Sequence, residues 1–223
     1  MEVEPALQYA GGEVMTETIL VGVDGSCLVG DPCAVLVAQS ASAVLAVVGH
    51  RGCGGFGGLM LGSVAAKLAA HASCPVVVAS GTCASDGAVV VGVDGSAAGW
   101  AAAGFAFEEA ELRRAPVRAV HAAVAPPAAG PGALLCGDLR CEEARVAKLV
   151  ADAIDEQHPD VLARHEIRWA PVAASLIDAS RGAQLIVVGV RGTSGLAGSR
   201  LGATSYALLH HAACPVAVVP AAR

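Results

Sequence analysis

Two glycine-rich stretches hold the residues with the clearest chemical use. Gly49, Gly52 and Gly62, followed by Ser63, have the spacing Gly-x2-Gly-x9-Gly; Gly189, Gly192 and Gly202, followed by Ala203, repeat it. Glycines let a backbone come close to a bulky anion, and a helix starting after the last glycine turns free N–H groups toward it. Arg51 and Arg191 add a cation to each stretch, and Ser63 adds a hydroxyl donor. The chemistry on offer is the holding of a phosphate group. The plainer alternative is a tight connecting loop. Two copies, each between an apolar run and a helical one, weigh against it.

Other polar residues are less telling. Asp24 and Asp94 sit in an identical hexapeptide, Val21 to Ser26 and Val91 to Ser96. Ser26 and Ser96 follow them without the Gly-x-Ser-x-Gly context of a nucleophile, so capping the next helix explains them better. His71 and His211 correspond between repeats and close a helix, where a protonated ring suits the helix dipole. His210 and His211 have no carboxylate at metal-ligand spacing. No Gly-Lys-Ser/Thr follows either glycine stretch, and no set of metal-holding and water-orienting residues is evident for phosphoryl transfer.

These residues need elements to place them, and the repeat pattern supplies the plan. The hexapeptide recurs at an offset of 70, whereas the block 49–78 recurs at 140 as 189–218, without a gap and with 14 of 30 residues kept. Most of that block is thus the same unit twice, and the first copy lacks an internal block of 70 residues just after Ser26. The chain divides into a truncated repeat over 1–82 and a complete domain over 83–223.

The complete repeat alternates strands and helices. Residues 88–93 form a β-branched run ending in Asp-Gly-Ser. The next helix carries Trp100, Ala103, Phe107 and Ala110 on one face, with Glu108, Glu109, Arg113 and Arg114 mostly off it. Residues 116–124 read as a second strand and 125–137 as a loop. A long helix runs from Asp138 to just before Pro159. Strands over 161–169, 185–188 and 215–219 and helices over 172–180 and 203–211 complete the unit. Such alternation predicts an α/β fold: an open parallel five-stranded sheet with helices on both faces. Ligands on such sheets bind beyond the C-terminal strand ends, where both repeated signatures fall.

Three motifs occur in order, twice: the Val-Asp-Gly-Ser strand end, the glycine loop and the Cys-Pro-Val-x-Val last strand. The chain resembles the universal stress protein family in its tandem form, over about 87–220 and, less the missing block, 16–80. The resemblance implies strand order 3-2-1-4-5 and, with this loop, ATP or a related adenine nucleotide, with or without magnesium. Carried across, Asp94 would meet the ribose–adenine end and Ala122 would line the adenine pocket. Gly189, Arg191, Gly192, Gly202, Ala203 and Thr204 would surround ribose and phosphates. The first-repeat positions are Asp24, Gly49, Arg51, Gly52, Gly62, Ser63 and Val64. The first repeat keeps Ser63 but lacks the segment that builds an adenine wall. The second is whole but has Ala203 where the family has Ser or Thr. The implied role is a stress-response sensor or switch without enzymatic turnover beyond weak hydrolysis. The alternative is a nucleotide-free scaffold acting by dimerisation or partner binding.

Composition bounds the remaining classes. The 223 residues are 55% hydrophobic yet only 3% aromatic, so many small side chains must build the core. The net charge of -6 and the lack of a Lys/Arg run argue against nucleic-acid binding. The longest apolar stretch, 34–48, is interrupted by Gln39, Ser40 and Ser42 and falls short of the roughly 20 residues a membrane span needs. The start of the chain lacks a basic, then apolar, leader, so a cytoplasmic protein is expected. Eight cysteines without a Cys-x-x-Cys pair suggest reduced thiols, with Cys74 and Cys214 buried and inert before their prolines. The resemblance also implies a contact between the last strands of two domains, which a tandem chain would make internally by pairing 75–79 with 215–219 as a pseudo-dimer, with the open edge of the truncated repeat favouring a homo-oligomer.

Overall fold

Short valine-rich runs become the middle strands of one sheet. A computed structural model describes residues 6–10, 13–22, 31–50, 61–123, 158–193 and 200–221. Strands β1 (Ala6–Ala10) and β2 (Glu13–Glu17) form a separate antiparallel pair. The first repeat then gives β3 (Ile19–Gly22), α1 (Pro32–Gln39), β4 (Leu45–Gly49), α2 (Ser63–His71) and β5 (Val76–Ala79). The second gives β6 (Val89–Gly92), α3 (Ala97–Arg113), β7 (Val117–Ala123), β8 (Ala163–Trp169), α4 (Val172–Ala179), β9 (Leu185–Gly189), α5 (Ala203–His211) and β10 (Val216–Val219). The long helix expected from Asp138, and Asp24, Ser26, Arg51 and Gly52, lie outside the described residues.

The sheet has eight strands in the order β3-β4-β5-β10-β9-β6-β7-β8. This corrects the expected five-stranded open parallel sheet. Within it the second repeat keeps its own 3-2-1-4-5 order, and all its neighbours are parallel. The departure arises where the repeats meet. β5 and β10 are the last strands of equivalent units and pair antiparallel, with Val76 opposite Val218, Val77 opposite Ala217 and Val78 opposite Val216. Burying these small apolar side chains between two sheets' ends removes both edges from water.

One face of the sheet carries a core that crosses the junction: Leu20, Leu36, Val48, Leu68 and Val78 pack in the same cluster as Val90, Leu176, Ile186 and Leu208. Helices α1, α2, α4 and α5 supply its cover. On the other face, α3 lays Ala102, Ala103, Ala106, Phe107 and Ala110 over Val89, Val91, Val117, Leu185 and Val187. Trp100 leaves the face expected of it and is 40% exposed. The buried stripe follows the small residues Gly99, Ala102, Ala103 and Ala106, which let the helix sit close to the sheet, and Trp100 stands beside it. Among the described residues no helix covers this face of the first repeat, so Val21 is 55% exposed on β3.

Repeated sequence gives repeated bonds. Ser40 Oγ donates to the Val37 carbonyl and accepts the Ser73 N–H at 2.9 Å; Ser180 Oγ donates to Ile177 and accepts the Ala213 N–H at 2.9 Å. Both serines are buried, and each ties its helix end to the turn before the last strand. Cys74 and Cys214 are buried in that turn. Among the described residues no helix is long and apolar enough to cross a membrane.

Candidate functional site

The site lies at the C-terminal ends of β6 and β9, where the strand order reverses direction. Asp94 is its hub. Its Oδ1 accepts from the Ser96 N–H at 3.0 Å and the Ser96 hydroxyl at 2.6 Å, and Oδ2 accepts from the Thr193 N–H at 2.9 Å. Ser96 in turn caps α3 by accepting the Gly99 N–H at 3.0 Å. One carboxylate thus joins the end of β6, the start of α3 and the glycine loop 99 residues later. Gly192 is held against it: a Cβ there would lie 2.4 Å from Asp94 Oδ2.

The other glycines divide by role. A Cβ on Gly189 would lie 2.8 Å from the Ala98 backbone, so this position lets β9 approach the first turn of α3. Its counterpart Gly49 is exposed, because among the described residues the first repeat has no helix over that strand end. Gly202 meets nothing closer than 3.4 Å and sits at the N-cap of α5 with φ -68° and ψ 152°. Gly62 takes the same place on α2. Each loop is closed at its base alike: Gly62 N–H donates to His50 O at 2.9 Å, and Gly202 N–H donates to Val190 O at 2.8 Å. Neither helix has a side-chain cap, so the first-turn amides of Ser63 and Val64, and of Ala203 and Thr204, are left as donors an anion could use.

Asp94, Gly192 and Thr193 thus meet at one place. A Cβ on Gly202, which starts the helix of Ala203 and Thr204, would lie 3.4 Å from the Arg191 backbone, and Gly189 is at the base of the same loop. Ala122 stands on β7, half-buried, two positions past the register pair Gly92–Val120. Gly49, Gly62, Ser63 and Val64 form a separate copy beyond the β5–β10 junction. Sequence reasoning missed Thr193, which acts through a backbone amide that no residue type announces. It also missed His121 as more than a neighbour of Ala122. Its Nδ1 lies 2.8 Å from the Val93 carbonyl, and its buried Nε2 has no hydrogen-bond partner among the described residues. A histidine at the end of an apolar strand was the available signal.

A family model described as the universal stress protein family matches residues 29–80 and 87–220. A universal stress protein of Mycolicibacterium smegmatis is 35% identical over 194 residues, covering 82% of this chain and 64% of that protein. One of Mycobacterium tuberculosis is 36% identical over 193 residues, covering 82% of this chain and 63% of that protein. The chain thus spans a little under two thirds of these relatives' length. Among solved structures, a universal stress protein from Archaeoglobus fulgidus matches with a TM-score of 0.60 at 20% identity, over 86% of this chain and 66% of that one. One from Lactobacillus plantarum matches with a TM-score of 0.54 at 22% identity, over 60% of this chain and 98% of that one. At these identities the structural likeness shows the fold.

Proposed function

This chain belongs to the universal stress protein family, and on that footing we propose that it binds ATP or a related adenine nucleotide in the β6–β9 crevice. It serves in the cytoplasm as a sensor or switch of a stress response, with little or no hydrolysis. The observation that carries this is the uncapped start of α5 behind a loop closed by its own backbone. Phosphate oxygens take the amides of Ala203 and Thr204, with Arg191 beside them. Asp94 Oδ2, already holding Thr193, keeps a lone pair for a ribose hydroxyl, and Ala122 leaves room for the base. Any magnesium would enter with the nucleotide's phosphates.

Ala203 favours a second reading, a scaffold that has given up its ligand and acts by association. A hydroxyl bond to a charged phosphate is worth roughly 1.5–3 kcal/mol, and that bond is missing here. Equilibrium dialysis with ATP separates the two. Retention at millimolar nucleotide is expected; no uptake leaves the scaffold.

A further inference from the structure

At the opposite end of the sheet a cleft of about 380 Å³ opens where β6, β7, β8 and β9 begin. Arg118, Arg164 and Arg181 line it, with Pro116, Leu162 and Gly182 between them. Arg118 and Arg164 are register partners on adjacent strands, so both side chains leave the same face of the sheet. Like charges placed so are unfavourable unless something between them is negative.

Glu166, two residues along β8 from Arg164, and Asp178 on α4 are both engaged by Arg168, at 2.7 and 3.0 Å. Among the described residues no carboxylate pairs with Arg118, Arg164 or Arg181. Arg118 donates to the Ala179 carbonyl at the end of α4, which fixes its guanidinium, while its Nε is buried without a partner. A buried, unpaired donor on a cation is expensive to leave so.

We propose that this cleft is a second binding site, taking a small dianionic phosphate ester or a diphosphate. Three guanidinium groups offer more donors than one carboxylate can accept, and their planar forks suit phosphoryl oxygens. The protein's net charge of -6 gives no long-range attraction, so recognition rests on these contacts. The site is separate from the glycine loop. The seven residues of β7 span roughly 20 Å between the two ends, too far for one small ligand.

The test is calorimetric titration of inorganic pyrophosphate into the full chain, as wild type, as Arg164→Gln/Arg181→Gln and as Arg113→Gln. The first two substitutions fall on exposed side chains and leave both glycine loops intact. The expected result is binding to wild type and to Arg113→Gln, weakened at least about tenfold in the double variant. Without anion, Arg164→Gln should melt no lower than wild type, since the repulsion with Arg118 is relieved. It should also lose most of the upward shift that pyrophosphate gives wild type. Equal affinity in the double variant overturns the proposal by placing pyrophosphate elsewhere, in the glycine loops. An equal loss in Arg113→Gln overturns it by showing an effect of net charge alone. Absence of heat in wild type at millimolar pyrophosphate overturns it outright.

Discussion

The backbone N–H of Thr193 donates to Asp94 Oδ2 at 2.9 Å, which fastens the glycine loop to the end of β6. Both carboxylate oxygens accept bonds from N–H groups, so an amide cannot replace it. In Asp94→Asn one NH2 must face another donor, whichever way the side chain turns. A loss of about 1–3 kcal/mol in stability is expected by urea denaturation. An unchanged midpoint would show that the carboxylate is not holding the loop.

Gly189 and Ala98 approach too closely for a side chain between them. Gly189→Ala must push β9 and α3 apart, at a cost of about 1–3 kcal/mol. The same measurement on Gly49→Ala should show a smaller loss, because that position is exposed. Equal losses would mean that strand–helix contact is not the reason for Gly189.

The start of α5 supports a pair of opposed predictions. Gly202 has N-cap geometry and no side chain, so Gly202→Ser lets a hydroxyl accept a first-turn N–H. It should raise stability by a few tenths of a kcal/mol and weaken ATP retention by competing for the same amides. Ala203→Ser adds a phosphate donor instead, and should tighten ATP by roughly tenfold or more with little change in melting. Dialysis and thermal melts on the two variants check both. Two variants that move affinity in the same direction would exclude the proposed phosphate position.

Much of this arrangement is legible in the sequence. The exact recurrence of Val-Gly-Val-Asp-Gly-Ser and the gapless match of 49–78 to 189–218 mark equivalent strands, and the structure pairs the last of them. The pairing of 75–79 with 215–219 that joins the repeats was legible through the resemblance and not through patterning, because a period of two says which face of a strand is buried and not whose edge lies next to it. The hairpin of β1 and β2 was missed although Gly11-Gly12 between two five-residue runs is a turn signal. Trp100 misled because side-chain size was weighed over the run of small residues that sets the packing distance. Arg118 gave no sign of the cleft, since an arginine within an apolar strand reads as an edge residue until its neighbours are known.

Burial pushes the Cys214 thiol up to about 12 from an ordinary 9.0, with Cys83 nearby adding to it, and burial raises Cys74 as well. The folded protein therefore keeps Cys214 protonated where the unfolded chain ionises it. That contribution to stability is whole below pH 9.0 and falls as pH rises from there toward 12. Melting temperature should decline in this range, less steeply in Cys214→Ala. At neutral pH, peptide mapping after brief maleimide treatment should find exposed Cys83 modified and Cys74 and Cys214 untouched. Fast labelling of Cys214 would contradict its burial.

Residues 1–82 and 83–223 should behave differently when made apart. The second fragment keeps both faces of β9 and the α3 core and is expected to melt cooperatively. The first keeps the separate β1–β2 pair and three strands of the sheet, and loses the β10 partner and the second repeat's share of the core that crosses the junction, leaving too small a core. It should be unfolded or aggregated by circular dichroism and sedimentation. A monomeric first fragment with a sharp melt would refute this dependence.

Pairing β5 with β10 also sets an order of events during synthesis. Val78 leaves the ribosome 138 residues ahead of Val216, the residue it must face. At about 5–20 residues per second the wait is roughly 7–28 s, far longer than helices and hairpins need to form. For that interval the nascent first half presents a valine edge with nothing to pair it. The strand that completes it is the last of the second repeat, so closure of the first repeat is postponed until all of the second has been made.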